Sequence, residues 1–499
     1  MRIEAEYDYV VIGAGAAGSI VAAAAAARGH SVLLLETGQM VNAGQNDVWD
    51  PARWNCVLQD ASFELGFKSE PQKHLLPAGR VQNLLQSAGT GGCQLHNAMV
   101  YVRGGRSTYD NWAGALGCTG WDYAGLEPFF AAIEARMGVV TAVQDALTQS
   151  VIEAGRRLGL PFNPDYNTGP TEYGCVPFQF TIEESGAGLR RTTTYDKYIG
   201  ASPPANLTVV TGCFVTRLIA GNGVPAVEIL FQDELMTVQA GREVVLSAGA
   251  IMSPAILLRS GIGDASALSK LGIDSVSDLP GVGANFYDDL GCGLPVLVAG
   301  TFPPQPYGYL GCGMFACADG GAPPSAVNLE LQISTSDLPC AVNPLPGGQR
   351  YAAIGCSAMH LRSRGTVKLA SKDPTVPPLI DPNWLSDPDD MENCLAALAL
   401  AQAVASDAQL AAQWQWSAMP IADPEDYVLR NGLTVQHYVG SCSMGPDRAT
   451  AVVDPDLRVY GVDGLRVIDA SVAPTPVTGN TAGVSMVIGA KGAELLLAG

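Results

Sequence analysis

The sequence predicts an α/β fold (α+β in some schemes): a Rossmann-like dinucleotide-binding unit joined to a second unit built largely from strands. Three observations predict it. A strand–glycine turn–helix–strand pattern opens the chain, short β-branched segments crowd residues 206–247, and a Gly-, Pro- and Cys-rich stretch precedes a return to α/β patterning near the C-terminus.

The opening pattern runs from Tyr7 to Glu36. An apolar strand enters Gly13-Ala14-Gly15-Ala16-Ala17-Gly18, an alanine-rich helix follows, and a second strand, Ser31 to Leu35, ends at Glu36. Gly13 permits the tight turn, Gly15 lets backbone approach a pyrophosphate, and Gly18 lets helix pack on strand. The helix N-terminus favours an anion, and Glu36 is spaced to accept from a ribose hydroxyl. The motif leaves NAD and FAD both open.

From Thr37 to Pro77 periodicity disappears, which predicts an irregular connection or lid. A second glycine cluster, Ala88-Gly89-Thr90-Gly91-Gly92-Cys93-Gln94-Leu95-His96-Asn97, precedes helices expected over Leu126–Ala135 and Val151–Leu158 and a loop over Pro161–Pro177. Residues 206–247 read as a meander of five strands, Leu207–Thr211, Val215–Ile219, Val227–Phe231, Leu235–Val238 and Val244–Leu246, with a turn at Gly221-Asn222-Gly223. A helix is expected to start at Ser253-Pro254, with proline in its first turn. From Leu290 to Asp423 strand-like pieces (Val327–Ile333, Ala352–Leu361, Thr366–Leu369) precede a helix over Met391–Ala405; Thr434–Gly499 closes the chain with a strand at Gly464–Asp469 and a helix over Gly483–Leu497.

With 499 residues, 47% of them hydrophobic and 15% charged, the chain is expected to form two compact domains or one elaborated domain. A net charge of −20 speaks against nucleic acid and anionic membrane as partners. The first strand begins within ten residues of Met1, and Ile20–Ala27 is too short to span a bilayer, so a soluble, cytoplasmic protein is expected. Twelve cysteines lack any C-x-x-C pair and read as buried apolar thiols; five histidines without H-E-x-x-H indicate no metal.

Several stretches together resemble the glucose–methanol–choline (GMC) oxidoreductases, FAD enzymes that oxidise alcohols. Gly249-Ala250-Ile251-Met252-Ser253-Pro254-Ala255-Ile256-Leu257-Leu258-Arg259-Ser260-Gly261-Ile262-Gly263 resembles the second family signature throughout. The opening fingerprint, Gly91-Gly92 with Tyr109-Asp110-x-Trp112, His437-x-x-Gly440-Ser441-Cys442-x-Met444-Gly445, and Val467-Ile468-Asp469-Ala470-Ser471 fit in family order, from Tyr7 to Glu494. The resemblance implies FAD, with an FAD-binding domain drawn from residues 1–150, 200–289 and 434–499. The substrate-binding domain would come from 151–199 and 290–433, with 37–77 as lid or connection.

The resemblance also assigns roles. His437 matches the catalytic base, and histidine suits proton removal because its ordinary pKa lies near neutrality. Asn480, in Thr478-Gly479-Asn480-Thr481, matches the partner that holds the substrate oxygen; a simple Gly-Asn turn is the plainer reading. Gly13, Gly15, Gly18, Glu36, Gly91, Gly92, Asn97, Val215, Asp469, Ala470 and Thr481 are the remaining expected cofactor contacts. Gly91–Asn97 resembles the G-G-C-x-x-H-N variant of choline-oxidase-like members, in which the histidine, here His96, carries FAD covalently. Relatives with isoleucine or valine there bind FAD without a bond. Asn285-Phe286-Tyr287-Asp288-Asp289 stands where relatives commonly have Asn-Leu-x-Asp-His; no function is read from that departure. The expected reaction oxidises a small-molecule alcohol to an aldehyde or ketone by hydride transfer, with oxygen or another acceptor closing the cycle. A hydroxynitrile-type lyase with structural FAD, a non-catalytic flavin protein and, more remotely, an NAD-dependent dehydrogenase remain alternatives.

Overall fold

The computed structural model describes all residues except 1–2, 43, 187, 222, 321–326, 336–350 and 499. Its first strand, β1 (Glu6–Ile12), is apolar on both faces beyond Asp8, and Val10 and Val11 are fully buried. Such a strand belongs in the middle of a parallel sheet with cover on both sides. It pairs in parallel with β2 (Val32–Leu35) on one side and with Glu234–Leu246 on the other, Ile12 lying opposite both Leu35 and Leu246. The helix α1 (Ala16–Ala27) joins β1 to β2 as a crossover. The sheet order is Cys213–Gly221, Gly223–Phe231, Glu234–Leu246, β1, β2, Leu207–Val210, with Leu465–Val467 also paired on Glu234–Leu246. The C-terminal helix, Ala482–Ala498, packs on α1 so closely that a Cβ on Gly489 would stand 2.7 Å from Ala17 Cα.

Two expectations for this region need correction. The last two strands of the meander are one strand, Glu234–Leu246. Its first half forms an antiparallel hairpin with Gly223–Phe231 and its second half runs parallel to β1, so Gly241 marks a change of partner rather than an end. The helix expected from Ser253 begins at Gly249, which leaves Pro254 inside it. Proline cannot donate to the carbonyl four residues back. That carbonyl, on Ala250, accepts instead from Ser441 Oγ at 2.5 Å.

A second sheet is antiparallel, in the order Trp416–Ala418, Leu290–Val298, Tyr351–Ala358, Leu329–Thr335, Cys312–Ala316, Gly174–Pro177, with Leu433–Thr434 also on Leu290–Val298. Burial alternates residue by residue along Leu290–Val298 and Tyr351–Ala358, as expected when one face is covered. The helix Asp389–Ala405 packs on this sheet. Gly174–Pro177 lies in the stretch expected as loop. It is an edge strand, where a terminal proline leaves no ladder partner unsatisfied.

The Thr37–Pro77 connection is not structureless. It folds into short helical turns (Asn46–Trp49, Pro51–Arg53, Trp54–Val57, Ala61–Phe63) that gather Val41, Val48, Val57 and Phe63 around Leu95. The cysteine expectation also fails in part. Cys56 is disulfide-bonded and Cys93 is exposed; the other nine described cysteines are buried thiols. Asn222, the expected turn residue, lies outside the described residues. No single helix among them is long and apolar enough to cross a membrane.

Candidate active site

One cavity of about 850 Å³ runs along the ends of both sheets, a volume within the usual range for bound small molecules and cofactors. At one end it is walled by Gly13, Gly15, Ala16, Glu36, Phe214 and Val215, and at the other by Gln332, His437, Asn480 and Thr481. Gly92, Cys93, His96, Asn97, Asp469 and Ala470 also line it. The expected site residues, 468 positions apart at the extremes (Gly13 and Thr481), therefore share one cavity. Gly18 and Gly91 stand behind it. A Cβ on Gly18 would meet the Gly13 carbonyl oxygen at 2.0 Å, and the Gly91 N–H donates to the Ala14 carbonyl at 2.9 Å.

At the first end, Gly13 turns the chain with φ +104°, where a side chain would meet the Ser247 carbonyl. The N-terminus of α1 follows, directing unpaired N–H groups at the cavity. Glu36 is buried, and its carboxylate accepts from the N–H groups of Ala14 (2.9 Å), Gly38 (2.9 Å) and Gly89 (3.0 Å). The Thr37 N–H also acts on this carboxylate, so four backbone donors surround it and hold it at the cavity wall. Gly92, with φ +56°, lies against Gly15, where a Cβ would come within 2.7 Å of Gly15 Cα. Asp469 is fully engaged by the protein, accepting from Gly249 N (2.8 Å), Ser253 Oγ (2.6 Å) and Ser471 N (2.8 Å). It ties the helix Gly249–Arg259 to the turn that carries Ala470. Asn97 likewise turns its Oδ1 to Arg191 Nη1 at 2.7 Å, and Arg191 also donates to the carbonyls of Gln94 and Val48. The side chain of Asn97 thus anchors its loop.

His96 is buried on the cavity wall. Its Nδ1 lies 2.9 Å from Glu64 Oε1 but off the line a hydrogen bond needs. Burial pulls its pKa down, while the Cys93 thiol and the Glu64 carboxylate raise it to a net value of about 9.

At the far end His437 is held on three sides. Its backbone N–H donates to Asp288 Oδ1 at 2.8 Å, its Nδ1 lies 2.8 Å from Asp289 Oδ2, and its Nε2 lies 3.2 Å from Asn480 Nδ2. A buried carboxylate is an acceptor, so Nδ1 carries the proton and Nε2 the lone pair to which Asn480 donates. Burial opposes a charged imidazole, but Asp289 above all, then Glu330 and Asp288, leaves the net pKa raised. Asp288 itself is pushed up to about 7 by burial, against the Thr434 hydroxyl bond that lowers it. Asn480 Oδ1 is buried with no hydrogen-bond partner among the described residues, an acceptor that a bound group would satisfy.

Sequence reasoning missed three neighbours of these groups. Asp289 was visible as a departure from Asn-Leu-x-Asp-His. Glu64 and Glu330 carried no local signal. The segment from Phe302 to Phe315 is rich in aromatic residues, and of these Tyr309 reaches the cavity, stacked on Trp54 with ring centroids 5.1 Å apart. Tyr307 stacks on Phe180, and Met314 is buried in the core.

The glycine cradle, the helix N-terminus, the Glu36 carboxylate on the cavity wall and the orphaned Asn480 oxygen fit the FAD implied by the family resemblance. Comparison with known proteins agrees. The GMC oxidoreductase profile matches residues 7–290 with its N-terminal part and 362–489 with its C-terminal part. Pyridoxine 4-oxidase of Microbacterium luteolum is 32% identical over 95% of this chain and 96% of its own. An oxygen-dependent choline dehydrogenase of Stenotrophomonas maltophilia (strain R551-3) is 32% identical over 99% of this chain and 96% of its own. The crystal structure of pyridoxine 4-oxidase from Mesorbium loti superimposes with a TM-score of 0.87 at 28% identity, covering 98% of both chains. The chain belongs to the GMC oxidoreductases and is an FAD-dependent enzyme acting on CH–OH donors.

Proposed function

We propose that this enzyme oxidises a small-molecule alcohol to the aldehyde or ketone, with His437 as the base and Asn480 as the partner of the substrate oxygen. The observation that carries this reading is the His437 Nε2 lone pair, facing Asn480 Nδ2 at 3.2 Å on the cavity wall. A hydroxyl entering between them would give its proton to Nε2 while its oxygen accepts from the Asn480 amide. FAD, when bound, supplies the hydride acceptor, and oxygen or another acceptor returns it to the oxidised state. The carboxylates around His437 stabilise the imidazolium left by proton transfer. The first turn of Ala482–Ala498, opening on the cavity at Thr481 and Ala482, directs N–H groups that favour negative charge there.

Gly13, Gly15, Glu36, Gly92, Val215, Asp469 and Ala470 would hold the cofactor, with Gly18 and Gly91 shaping the cradle from behind and Asn97 anchoring its loop. His96 would carry FAD covalently through Nε2, because Nδ1 is turned to Glu64. Acid precipitation tests this bond: yellow colour left wholly in the supernatant ends the idea.

Anaerobic mixing of the holoenzyme with an alcohol panel, headed by the choline and pyridoxine named for two relatives, tests the reaction. Bleaching of the flavin is expected. A flavin that no alcohol bleaches would favour a lyase or a non-catalytic flavin protein instead.

A further inference from the structure

Asp289 lies on the strap Asn285–Asp289, immediately before the strand Leu290–Val298, and is 1% exposed. Both its oxygens are fixed. Oδ2 accepts from His437 Nδ1 at 2.8 Å, and Oδ1 accepts from the Tyr287 hydroxyl. That hydroxyl in turn accepts from the Leu361 N–H at 3.1 Å, and the Tyr287 ring lies 5.1 Å from the Arg364 guanidinium. The carboxylate therefore cannot rotate away from the imidazole without leaving a buried phenol unpaired. The neighbouring Asp288 takes the backbone N–H of His437 (2.8 Å) and the Thr434 hydroxyl (2.5 Å). Successive carboxylates thus hold the main chain and the ring of one residue. At its other end the strap is tied to the His437 segment by Asn285 Nδ2, which donates to Ser443 Oγ at 2.8 Å.

We propose that Asp289 is a positioning residue for the reaction: it holds His437 in the Nδ1-protonated tautomer and stabilises the imidazolium formed when Nε2 takes the substrate proton. The proposal rests on the reading of His437 as the base. It explains why a carboxylate at the end of the Asn-x-x-Asp-x strap is useful here. An acceptor at Nδ1 leaves the lone pair on Nε2, the nitrogen facing Asn480, and a negative charge beside the ring favours its protonated form. The other ionisable groups around the pair are Asp288 and Glu330, which act on His437 in the same sense. His360, Cys394 and Tyr287 also interact with Asp289, and Arg364 lies over the Tyr287 ring.

The test uses flavin-loaded enzyme labelled with ¹⁵N-histidine. Five histidines make the spectrum tractable, and His437→Ala identifies the signal. In the wild type, Nδ1 of His437 should carry the proton and Nε2 should titrate, with a midpoint above 6.5. A proton on Nε2 with Nδ1 free overturns the proposal without recourse to any variant, so poor folding of a variant cannot shelter it. In Asp289→Asn the midpoint should fall by about one unit or more, and an unmoved midpoint overturns the proposal. In Asp289→Glu the midpoint should recover towards the wild-type value; failure to recover points to packing and also overturns it. For any alcohol that bleaches the wild-type flavin, Asp289→Asn should lower the limiting reduction rate at least about tenfold and move the acid limb of its pH profile downwards. A lower rate on an unmoved limb marks a merely structural residue and overturns the proposal. The titration needs no turnover. If no alcohol reduces the flavin, the oxidation reading fails, and the imidazolium role falls with it whatever the spectrum shows. If His437→Ala abolishes reduction while Asp289→Asn leaves midpoint and rate unchanged, this inference alone fails.

Discussion

Two buried histidines line the same cavity, and each has a carboxylate oxygen near its Nδ1: Asp289 at 2.8 Å from His437 and Glu64 at 2.9 Å from His96. The distances nearly match, but the arrangements do not. The His437–Asp289 contact is a hydrogen bond, Asp289 is held from behind by Tyr287, and the opposite ring nitrogen meets the Asn480 amide. The His96–Glu64 contact is off line, and the larger upward influence on the ring is the Cys93 thiol. Proximity of a carboxylate raises both pKa values. Only the first arrangement also fixes a tautomer and presents its free nitrogen to a group that can share a substrate oxygen. Charge tunes a histidine; the partners of both nitrogens decide what it can do.

The comparison breaks most sharply at His437. His437→Ala should lower the rate of anaerobic flavin reduction at least about a hundredfold with FAD retained. Near-normal reduction would move the base elsewhere. Asn480→Ala should cost about tenfold or somewhat more in the same measurement, the range for a hydrogen bond to a group developing charge; an unchanged rate would leave Gly479-Asn480 as a turn. His96→Ala should change the reduction rate less than either, while any colour that precipitates with the wild-type protein in acid should move to the supernatant.

The smallest expected effect concerns stability. His96 has a folded-state pKa raised from 6.5 to about 9. A raised histidine contributes stability that is complete below its unfolded pKa and is lost as pH rises through the folded value. The apoprotein should therefore lose melting temperature between about pH 6.5 and pH 9, and Glu64→Gln should flatten that decline. An identical slope in the variant would show that Glu64 does not sustain the shift.

The tight turns and the signature were legible because their causes are local. Gly13 needs positive φ, and Gly15 and Gly92 meet backbone to backbone; no other residue type performs these tasks, so the sequence announces them. The helix Gly249–Arg259 was misread at its start because the group that rescues the Ala250 carbonyl, Ser441, lies 191 positions away. Glu234–Leu246 reads as two strands, Leu235–Val238 and Val244–Leu246, because its continuity comes from two different partner strands, Gly223–Phe231 and β1. Gly174–Pro177 looks like loop locally because the strand it pairs with, Cys312–Ala316, lies far along the chain.

The sequence by itself determined that a dinucleotide half-site exists at Gly13–Glu36, that the chain resembles FAD enzymes oxidising alcohols, and that His437 and Asn480 deserve to be paired. The first rests on residue type and short-range spacing, the other two on the resemblance of whole motifs to a family. Tertiary structure alone decided that Asp289, Glu330 and Asn480 surround one imidazole, that backbone N–H groups as distant as Gly89 hold the Glu36 carboxylate, and that Asn97 and Asp469 turn their side chains to the protein rather than the cavity. Each of these depends on which buried polar group reaches which partner across a sheet or a loop. Burial makes every such match costly to leave unmade, but nothing in the local sequence says where the partner lies.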